Sequence, residues 1–315
     1  MVNKNKALAI CSITLIILTF LMSCSKEEPV LNRKVLPGGS SSGIISYGLY
    51  GMDGEIEENR HFQIDSGTAF KKILAFDNLI EYSREYKLLV FANYEQLFFS
   101  VDNQESGYCY NFTAKPYEQT QCTITLPQLS DGFYDLLFLI IKDPNNTSLD
   151  EDYRKQTDMS HLSSMRYSLQ VGSSNDIYNE LPLTNCDSVY DQTLDGIFLN
   201  DEQDELRRLL TINCKPNMEP ELYIHVGNQS DEQKDYVILF LYDWMQTPIN
   251  KEMALRFNLP GESRSIIEFT PESLGEIGVH NMTAICIENP YQIATVHSRR
   301  ADFSIRVGVN ISNEF

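Results

Sequence analysis

The chain has 315 residues, 42% of them hydrophobic, which is enough for about two domains with cores of their own. It carries 44 acidic against 25 basic residues, a formal net charge of −19 at pH 7. Such a surface repels nucleic acid and anionic lipid headgroups, so the binding of polyanions is disfavoured.

The first 23 residues predict an export signal. Lys4 and Lys6 precede the apolar run 7–22 (ALAICSITLIILTFLM), which has signal-peptide length and is short for a membrane span of about 20 residues. The run ends in Leu21-Met22-Ser23-Cys24, which resembles the lipobox of bacterial lipoproteins. The resemblance implies cleavage before Cys24, acylation of its thiol, and attachment of residues 24–315 to a lipid bilayer outside the cytoplasm. The alternative is an ordinary signal peptide in which a cysteine occurs by accident.

Residues 24–43 predict a lipidated cysteine followed by a flexible tether, because the segment holds Pro29, Pro37 and a run of glycine and serine. Within it, Gly39-Ser40-Ser41-Ser42-Gly43 formally matches the G-x-S-x-G nucleophile motif. That motif requires a strand before the serine and a helix after it, and neither is predicted here. We therefore interpret this stretch as a linker.

The remaining sequence predicts an all-β fold, because short β-branched and aromatic runs alternate with turn residues. The expected strands are 86–91, 96–101, 122–126, 134–142, 209–214, 221–226, 236–242, 266–270 and 282–288. The clearest helix candidate is 201–210 (DEQDELRRLL), with Asn200 as a possible cap, and the end of this segment could equally be strand. Short strands at this spacing favour β-sandwiches.

An internal repeat indicates two copies of one unit. Gly132 and Pro144 bracket an apolar strand, and Gly278 and Pro290 bracket another at the same spacing of twelve residues. Each copy ends in a similar closing strand, 168–172 and 304–308. The sequence therefore predicts two tandem antiparallel β-sandwich domains, 44–172 and 186–315, joined by a linker over 173–185.

The second copy contains the segments 222–228 (LYIHVGN) and 236–243 (YVILFLYD), which resemble the immunoglobulin-like and CARDB-like modules of bacterial surface lipoproteins. The resemblance implies a non-catalytic binding, adhesion or scaffolding role in the cell envelope. The ligand would be an unidentified protein or polysaccharide, and no cofactor is implied.

The first copy has a longer acidic loop, which we expect to be a binding loop. Its acidic residues are Asp150, Glu151, Asp152 and Asp158. The preceding Asp143-x-Asn145-x-Thr147 weakly resembles a calcium-binding loop, but the sixth position is not glycine and Arg154 replaces the closing glutamate. We expect a solvated loop without a bound metal, and calcium binding stays an open alternative.

Two alternatives to a binding role stay open. Ile64-Asp65-Ser66-Gly67-Thr68 resembles the active-site turn of aspartic peptidases, which would make the chain an extracytoplasmic hydrolase with Asp65 as a catalytic carboxylate. Those enzymes need a second carboxylate that shares a proton, and no second motif is present. The other alternative is a structural spacer in an envelope complex.

Cysteines and aromatic residues give the remaining hypotheses. Cys109 and Cys122 flank a possible hairpin and could form a disulfide. Cys214 and Cys286 are expected to be buried, and His225 to lie on a solvent-facing or half-buried face. The aromatic residues left open are Tyr108, Tyr110 and Phe112, as core or as a sugar-stacking platform, and Trp244, as an exposed anchor or a lid on the core.

Overall fold

The computed structural model describes residues 30–31, 44–155, 161–173, 180–184, 188–191, 194–204, 207–271 and 274–314. Cys24, Asp158 and most of the predicted signal peptide, tether and linker lie outside these residues. The described part is built from 22 strands and one four-residue helix, α1 (Glu151–Arg154), which confirms the predicted all-β class.

The first sandwich contains eleven strands in two sheets. They are β1 (Ile44–Tyr50), β2 (His61–Ile64), β3 (Lys71–Leu79), β4 (Arg84–Ala92), β5 (Glu95–Gln96), β6 (Phe99–Val101), β7 (Gln104–Gly107), β8 (Tyr110–Ala114), β9 (Glu118–Thr125), β10 (Gly132–Lys142) and β11 (Leu162–Val171). Sheet A has the order β1-β3-β9-β6-β7, and sheet B has the order β2-β11-β10-β4-β5 with β8 also paired to β4.

The second sandwich also contains eleven strands in two sheets. They are β12 (Ser188–Tyr190), β13 (Gly196–Asn200), β14 (Thr211–Cys214), β15 (Leu222–Asn228), β16 (Lys234–Tyr242), β17 (Met245–Gln246), β18 (Leu255–Leu259), β19 (Ser263–Phe269), β20 (Gly278–Glu288), β21 (Asp302–Phe303) and β22 (Val307–Ile311). Sheet C has the order β14-β22-β20-β16-β17, with β18 on β16 and β21 on β20, and sheet D has the order β12-β19-β15-β13.

Equivalent strands build the two sandwiches, in agreement with the predicted repeat. Both β10 and β20 begin at a glycine with positive φ, +148° at Gly132 and +153° at Gly278. A buried asparagine performs the same task in each copy: the Nδ2 of Asn78 and that of Asn228 each donate to three main-chain carbonyls of neighbouring loops and strand ends. The matched glycines and asparagines fix the same turn and corner twice.

The closing strands are also equivalent, but in a register different from the one predicted. Val171 pairs with Gly132, and Ile311 pairs with Gly278, so these two closing residues correspond. The sequence match of 168–172 with 304–308 is therefore wrong by four positions. Hydrogen bonding to the preceding strand, not the local Ser-x-x-Val-Gly similarity, sets the register.

Four central strands are buried on both faces. In β10, Leu136, Phe138 and Ile140 enter the core of the first sandwich, while Leu137 and Leu139 point to the opposite side. The same alternation holds in β4, β16 and β20. A sheet with one solvated face would show polar residues at every second position, and these strands read instead as continuous apolar runs.

The outward faces of sheets B and C pack against each other and form one interface, here called the seam cluster. Its members are buried side chains of both sandwiches: Leu89, Phe91, Tyr94, Leu137, Leu139, Ile141, Leu162, Val237, Leu239, Leu241, Trp244, Ala254, Ile285, Ile287, Tyr291, Ala301 and Phe303. Burial of one large apolar side chain contributes about 1.5–3 kcal/mol. Separation of the sandwiches would expose most of this set, so the described strands form one four-sheet body.

The predicted helix over 201–210 is wrong where the structure describes it. Residues 201–204 form a bend, and 207–210 are irregular until β14 begins at Thr211. The helical pattern was overridden because β14 pairs in parallel with β22, which extends the chain at this point. Of the predicted linker, residues 180–184 pack along β18, where Thr184 N donates to Arg256 O at 2.7 Å.

Candidate binding surface at the seam

Two tight turns direct side chains across the seam. After β4, Asn93 and Tyr94 have φ of +46° and +71°, and after β16, Asp243 and Trp244 have φ of +45° and +69°. Consecutive positive φ values are typical of type I′ hairpin turns, in which Asn and Asp are favoured at the first position. The second residue of each turn is aromatic and enters the seam cluster.

Tyr94 and Trp244 each cross to the other sandwich. The Tyr94 hydroxyl donates to Asp135 Oδ2 at 2.7 Å and accepts from the main-chain N–H of Tyr291 at 3.2 Å. Trp244 Nε1 donates to the carbonyl of Pro144 at 2.8 Å. Trp244 is 5% exposed, so it is a lid on the buried interface between the sandwiches and not an exposed anchor.

A glutamine from each sandwich ties the short strands β5 and β17 together. The side-chain oxygen of Gln246 accepts from Gln96 N, and that of Gln96 accepts from Gln246 N, both at 2.7 Å. The side-chain nitrogens donate onward to the carbonyl of Tyr108 from Gln96 and to that of Met253 from Gln246. Both sandwiches are thereby held in register at the point where β5 meets β17.

Four exposed side chains surround this glutamine pair, and we call them the seam surface: Phe98, Tyr108, Met245 and Met253. Their exposed fractions are 45%, 48%, 46% and 39%. The rings of Phe98 and Tyr108 lie 5.7 Å apart at an interplanar angle of 84°. Exposed aromatic and thioether side chains on a rigid frame are typical of protein-binding surfaces.

The buried charges beneath the seam differ between the two copies. On the first side, Arg166 forms a buried ion pair with Asp135 at 2.5 Å and donates to the carbonyls of Glu288 and Asn289. The arginine and the carboxylate neutralise each other, and the arginine also satisfies the carbonyls at the end of β20. This position is therefore balanced in charge.

On the second side, Asn281 stands where the repeat places Asp135, and two fully buried arginines meet there. Arg306 donates to the carbonyls of Lys142 and Asp143, at 2.6 and 3.0 Å. Arg154 donates to Asn281 Oδ1 at 2.8 Å. These contacts are all with neutral oxygens, and burial lowers the pKa of Arg306 to about 10.

His161 lies beside these arginines and is buried. Its Nε2 lies 3.2 Å from the carbonyl of Tyr153, and the two rings are in edge contact. Burial first, and then the positive charge of Arg306, lower the pKa of His161 to about 4. The imidazole is therefore neutral at pH 7 and adds no third positive charge to the cluster.

The acidic loop uses part of its charge internally. Asp150 Oδ1 caps α1 by accepting from Tyr153 N at 3.0 Å, and Glu151 pairs with Lys155 at 2.7 Å, while Asp152 is exposed. Asp158 lies outside the described residues. In the described part this loop serves to carry Arg154 into the seam, a role that sequence reasoning missed.

The possible disulfide between Cys109 and Cys122 is not formed, since both thiols are free. Cys109 packs against the seam cluster on one face of sheet B, whereas Cys122 belongs to the core of the first sandwich on the other side. Burial raises the pKa of the Cys122 thiol to about 12. Cys214 and Cys286 are buried in the core of the second sandwich, as predicted.

Asp65 lies exposed in a turn, where its carbonyl accepts from Thr68 N at 3.0 Å and Gly67 has a φ of +76°. A peptidase dyad requires two carboxylates close enough to share a proton, and this position is an ordinary turn. Within the described residues, no group of three or more His, Cys, Asp or Glu side chains is arranged to hold a metal ion.

The three aromatic residues of the possible platform separate into two groups. Tyr110 and Phe112 pack against the first core, with their rings stacked at 5.9 Å, whereas Tyr108 precedes β8 and is exposed.

The prediction for His225 was wrong: it is 0% exposed on β15, and burial followed by the charge of Arg264 lowers its pKa to about 4.

The seam residues carried a sequence signal that was overlooked. The uninterrupted apolar runs of β4, β10, β16 and β20 indicate strands covered on both faces.

In the part of the chain that the structure describes, no helix combines the length and apolar character needed to cross a membrane.

Comparison with known proteins gives distant fold similarities. No protein-family model matches the chain, and neither does a curated protein. The CARDB domain of a Pyrococcus furiosus protein, solved with two metal ions, is 11% identical and covers 44% of this chain and 100% of its own, with a TM-score of 0.27. PapD-like domain 7 of human CEP192 is 13% identical and covers 46% and 96%, with a TM-score of 0.23. Red sea bream transglutaminase is 9% identical over 86% of this chain and 31% of its own, with a TM-score of 0.22. These scores carry no argument about activity.

Proposed function

We propose that this chain is a lipid-anchored, extracytoplasmic binding protein whose rigid pair of sandwiches presents the seam surface to a protein partner. The observation that carries this proposal is the group Phe98, Tyr108, Met245 and Met253, which is exposed directly above the glutamine pair that joins the sandwiches. A surface fixed by both sandwiches is preorganised, so little conformational entropy is lost on binding.

The geometry favours a protein over a polysaccharide. A flat platform for a sugar chain would present two ring faces side by side, and the rings of Phe98 and Tyr108 stand nearly perpendicular, at 84°. Methionine side chains adapt to irregular apolar surfaces, which suits Met245 and Met253 to contacts with protein side chains.

A photo-crosslinking amino acid placed at position 108 tests the surface in native membranes, with position 117 as the matched control. Tyr117 is also an exposed tyrosine, 59% exposed, but it lies in the turn before β9. We expect a discrete crosslinked protein band from position 108 and none from position 117. Equal crosslinking from both positions, or binding of purified protein to a glycan array that Tyr108→Ala removes, would contradict a protein-binding seam surface.

The anchor is tested separately, because the acylation of Cys24 is inferred from the lipobox alone. Labelled palmitate should be incorporated into the wild-type chain and not into Cys24→Ala, and the variant should leave the membrane fraction. A Cys24→Ala protein that stays in the membrane pellet would contradict the anchor and leave the seam surface untouched.

A further inference from the structure

The second sandwich contains a cavity of about 220 Å³ between β13 and β21, and none of its lining residues belongs to the seam surface. The apolar part of its lining is formed by Ile197, Phe198, Phe303 and Ile305, and the polar part by Asp195, Arg208, Arg299 and Asp302. Gly196 also lines it, and the position of a Cβ there would meet no atom within 4 Å, so the space beside β13 is open. The volume is below the roughly 300–1,000 Å³ of pockets that hold drug-sized ligands, which indicates a smaller ligand.

Two arginines line the cavity, and only one of them is neutralised. Arg299 contacts the carboxylates of Asp195 at 3.0 Å, Asp302 at 3.3 Å and Glu288 at 3.4 Å. Arg208 is exposed and makes no hydrogen bond or ion pair with any residue of the described part. Arg208 is therefore the available cation of this cavity.

We propose that this cavity binds a small monocarboxylate that carries an aromatic or aliphatic group. A planar guanidinium binds a carboxylate through two parallel hydrogen bonds, and the apolar part of the lining would receive the apolar group. The nearby carboxylates of Asp195 and Asp302 oppose a doubly charged phosphate, which favours a ligand with one negative charge. The same chemistry is offered by a free organic acid and by the C-terminal residue of a peptide.

The neighbouring arginine provides a matched control. Arg207 already pairs with Asp201 and Glu202, both at 2.9 Å, and does not line the cavity. Arg208→Gln and Arg207→Gln each remove one exposed positive charge from adjacent positions of the same segment. A difference between the variants therefore reports on the cavity and not on net charge.

The experiment measures binding of 3-phenylpropanoate and 3-phenylpropanamide to the purified chain by saturation-transfer NMR and calorimetry. We expect the acid to bind and the amide to bind at least tenfold more weakly. Arg208→Gln should weaken binding of the acid by roughly 10- to 100-fold, which is the range for a hydrogen bond to a charged group. Arg207→Gln should change the affinity less than threefold.

N-acetyl-phenylalanine and its amide distinguish the two sources of the carboxylate. Binding of N-acetyl-phenylalanine as tight as that of 3-phenylpropanoate would assign the cavity to a peptide C-terminus. Binding of 3-phenylpropanoate without binding of N-acetyl-phenylalanine would assign it to a free organic acid. Equal binding of acid and amide, equal loss in Arg207→Gln and Arg208→Gln, or no binding of the acid at millimolar concentration would overturn the proposal. None of these outcomes depends on the seam surface.

Discussion

Gln96 and Gln246 hold each other by two hydrogen bonds of 2.7 Å, each side-chain oxygen accepting from the main-chain N–H of the other residue. They occupy equivalent positions after the equivalent strands β4 and β16. A pair of this kind arises when two copies of one unit face each other about a two-fold axis. The repeat is thus the source of the interface as well as of the two sandwiches.

The glutamine pair should show energetic coupling. Gln96→Ala and Gln246→Ala each leave a partly buried N–H without its acceptor, which costs about 1–3 kcal/mol. Each variant removes a different bond, but both bonds close the same contact between β5 and β17, so loss of one loosens the other. The double variant should therefore lose less than the sum of the single variants, by on the order of 1 kcal/mol. Urea unfolding of the four proteins measures this coupling. Gln119→Ala, on an exposed position of β9, is the control and should change stability by less than about 0.5 kcal/mol. Strict additivity would refute the coupling.

Exchange of a carboxylate for an amide, or the reverse, should change the stability in opposite directions at the two buried charge clusters. Asp135→Asn removes the carboxylate that pairs with Arg166 and should destabilise the protein by about 3–5 kcal/mol at pH 7. Asn281→Asp supplies a carboxylate to Arg154 and should stabilise the protein by about 1 kcal/mol. This is the difference in strength between a hydrogen bond to a neutral acceptor and one to a charged acceptor.

The stabilisation by Asn281→Asp depends on the ionised carboxylate, so it should be present at pH 7 and disappear near pH 3 as the new carboxyl takes up a proton. Denaturant curves at both pH values check it. A variant that is less stable than wild type at pH 7, or equally stabilised at pH 3, would show that Arg154 and Arg306 do not lack a counter-charge.

Acid should destabilise the protein through His161 and His225. Both have a pKa of about 4 when folded and about 6.5 when unfolded, so the unfolded chain binds more protons between these values. The stability that the two neutral imidazoles contribute is fully present above pH 6.5. It is lost as the pH falls to 4, by up to roughly 3 kcal/mol for each residue. Below pH 4 the loss levels off.

Glutamine variants isolate this contribution from that of the carboxyl groups. The difference in unfolding free energy between pH 7.5 and 4.5 should be smaller in His161→Gln and in His225→Gln than in wild type. His297→Gln serves as the control, since His297 is exposed. A pH dependence unchanged in both buried-site variants would contradict the burial of neutral imidazoles.

The two sandwiches should unfold together, because the seam cluster is as apolar as a core. Trp244 is the chain's only tryptophan and lies in that cluster, so its fluorescence reports on the seam, while far-UV circular dichroism reports on all four sheets. The two signals should follow one urea transition. Leu239→Ala should shift both midpoints equally, with a loss of about 2–5 kcal/mol. A fluorescence change that precedes the loss of strand signal would show that the sandwiches separate first.

Sequence alone determined the strands and the repeat. Predicted strands such as 86–91, 134–142, 236–242 and 282–288 lie inside β4, β10, β16 and β20, because apolar and β-branched runs between turn residues leave few other conformations. The recurrence of Gly132 and Gly278 twelve residues before a proline also marked the start of an equivalent strand in each copy. These signals are local, and local periodicity specifies them.

Only the tertiary structure decided which faces meet. An apolar run shows that both faces of a strand are buried, but not whether the cover is a helix, a second sheet or another domain. The free thiols of Cys109 and Cys122, the burial of His225, and the approach of Arg154 to Asn281 all depend on contacts between residues that are distant in the chain. The physical reason is that a side chain's environment is set by what packs against it, and packing partners across a seam leave no fixed spacing in the sequence.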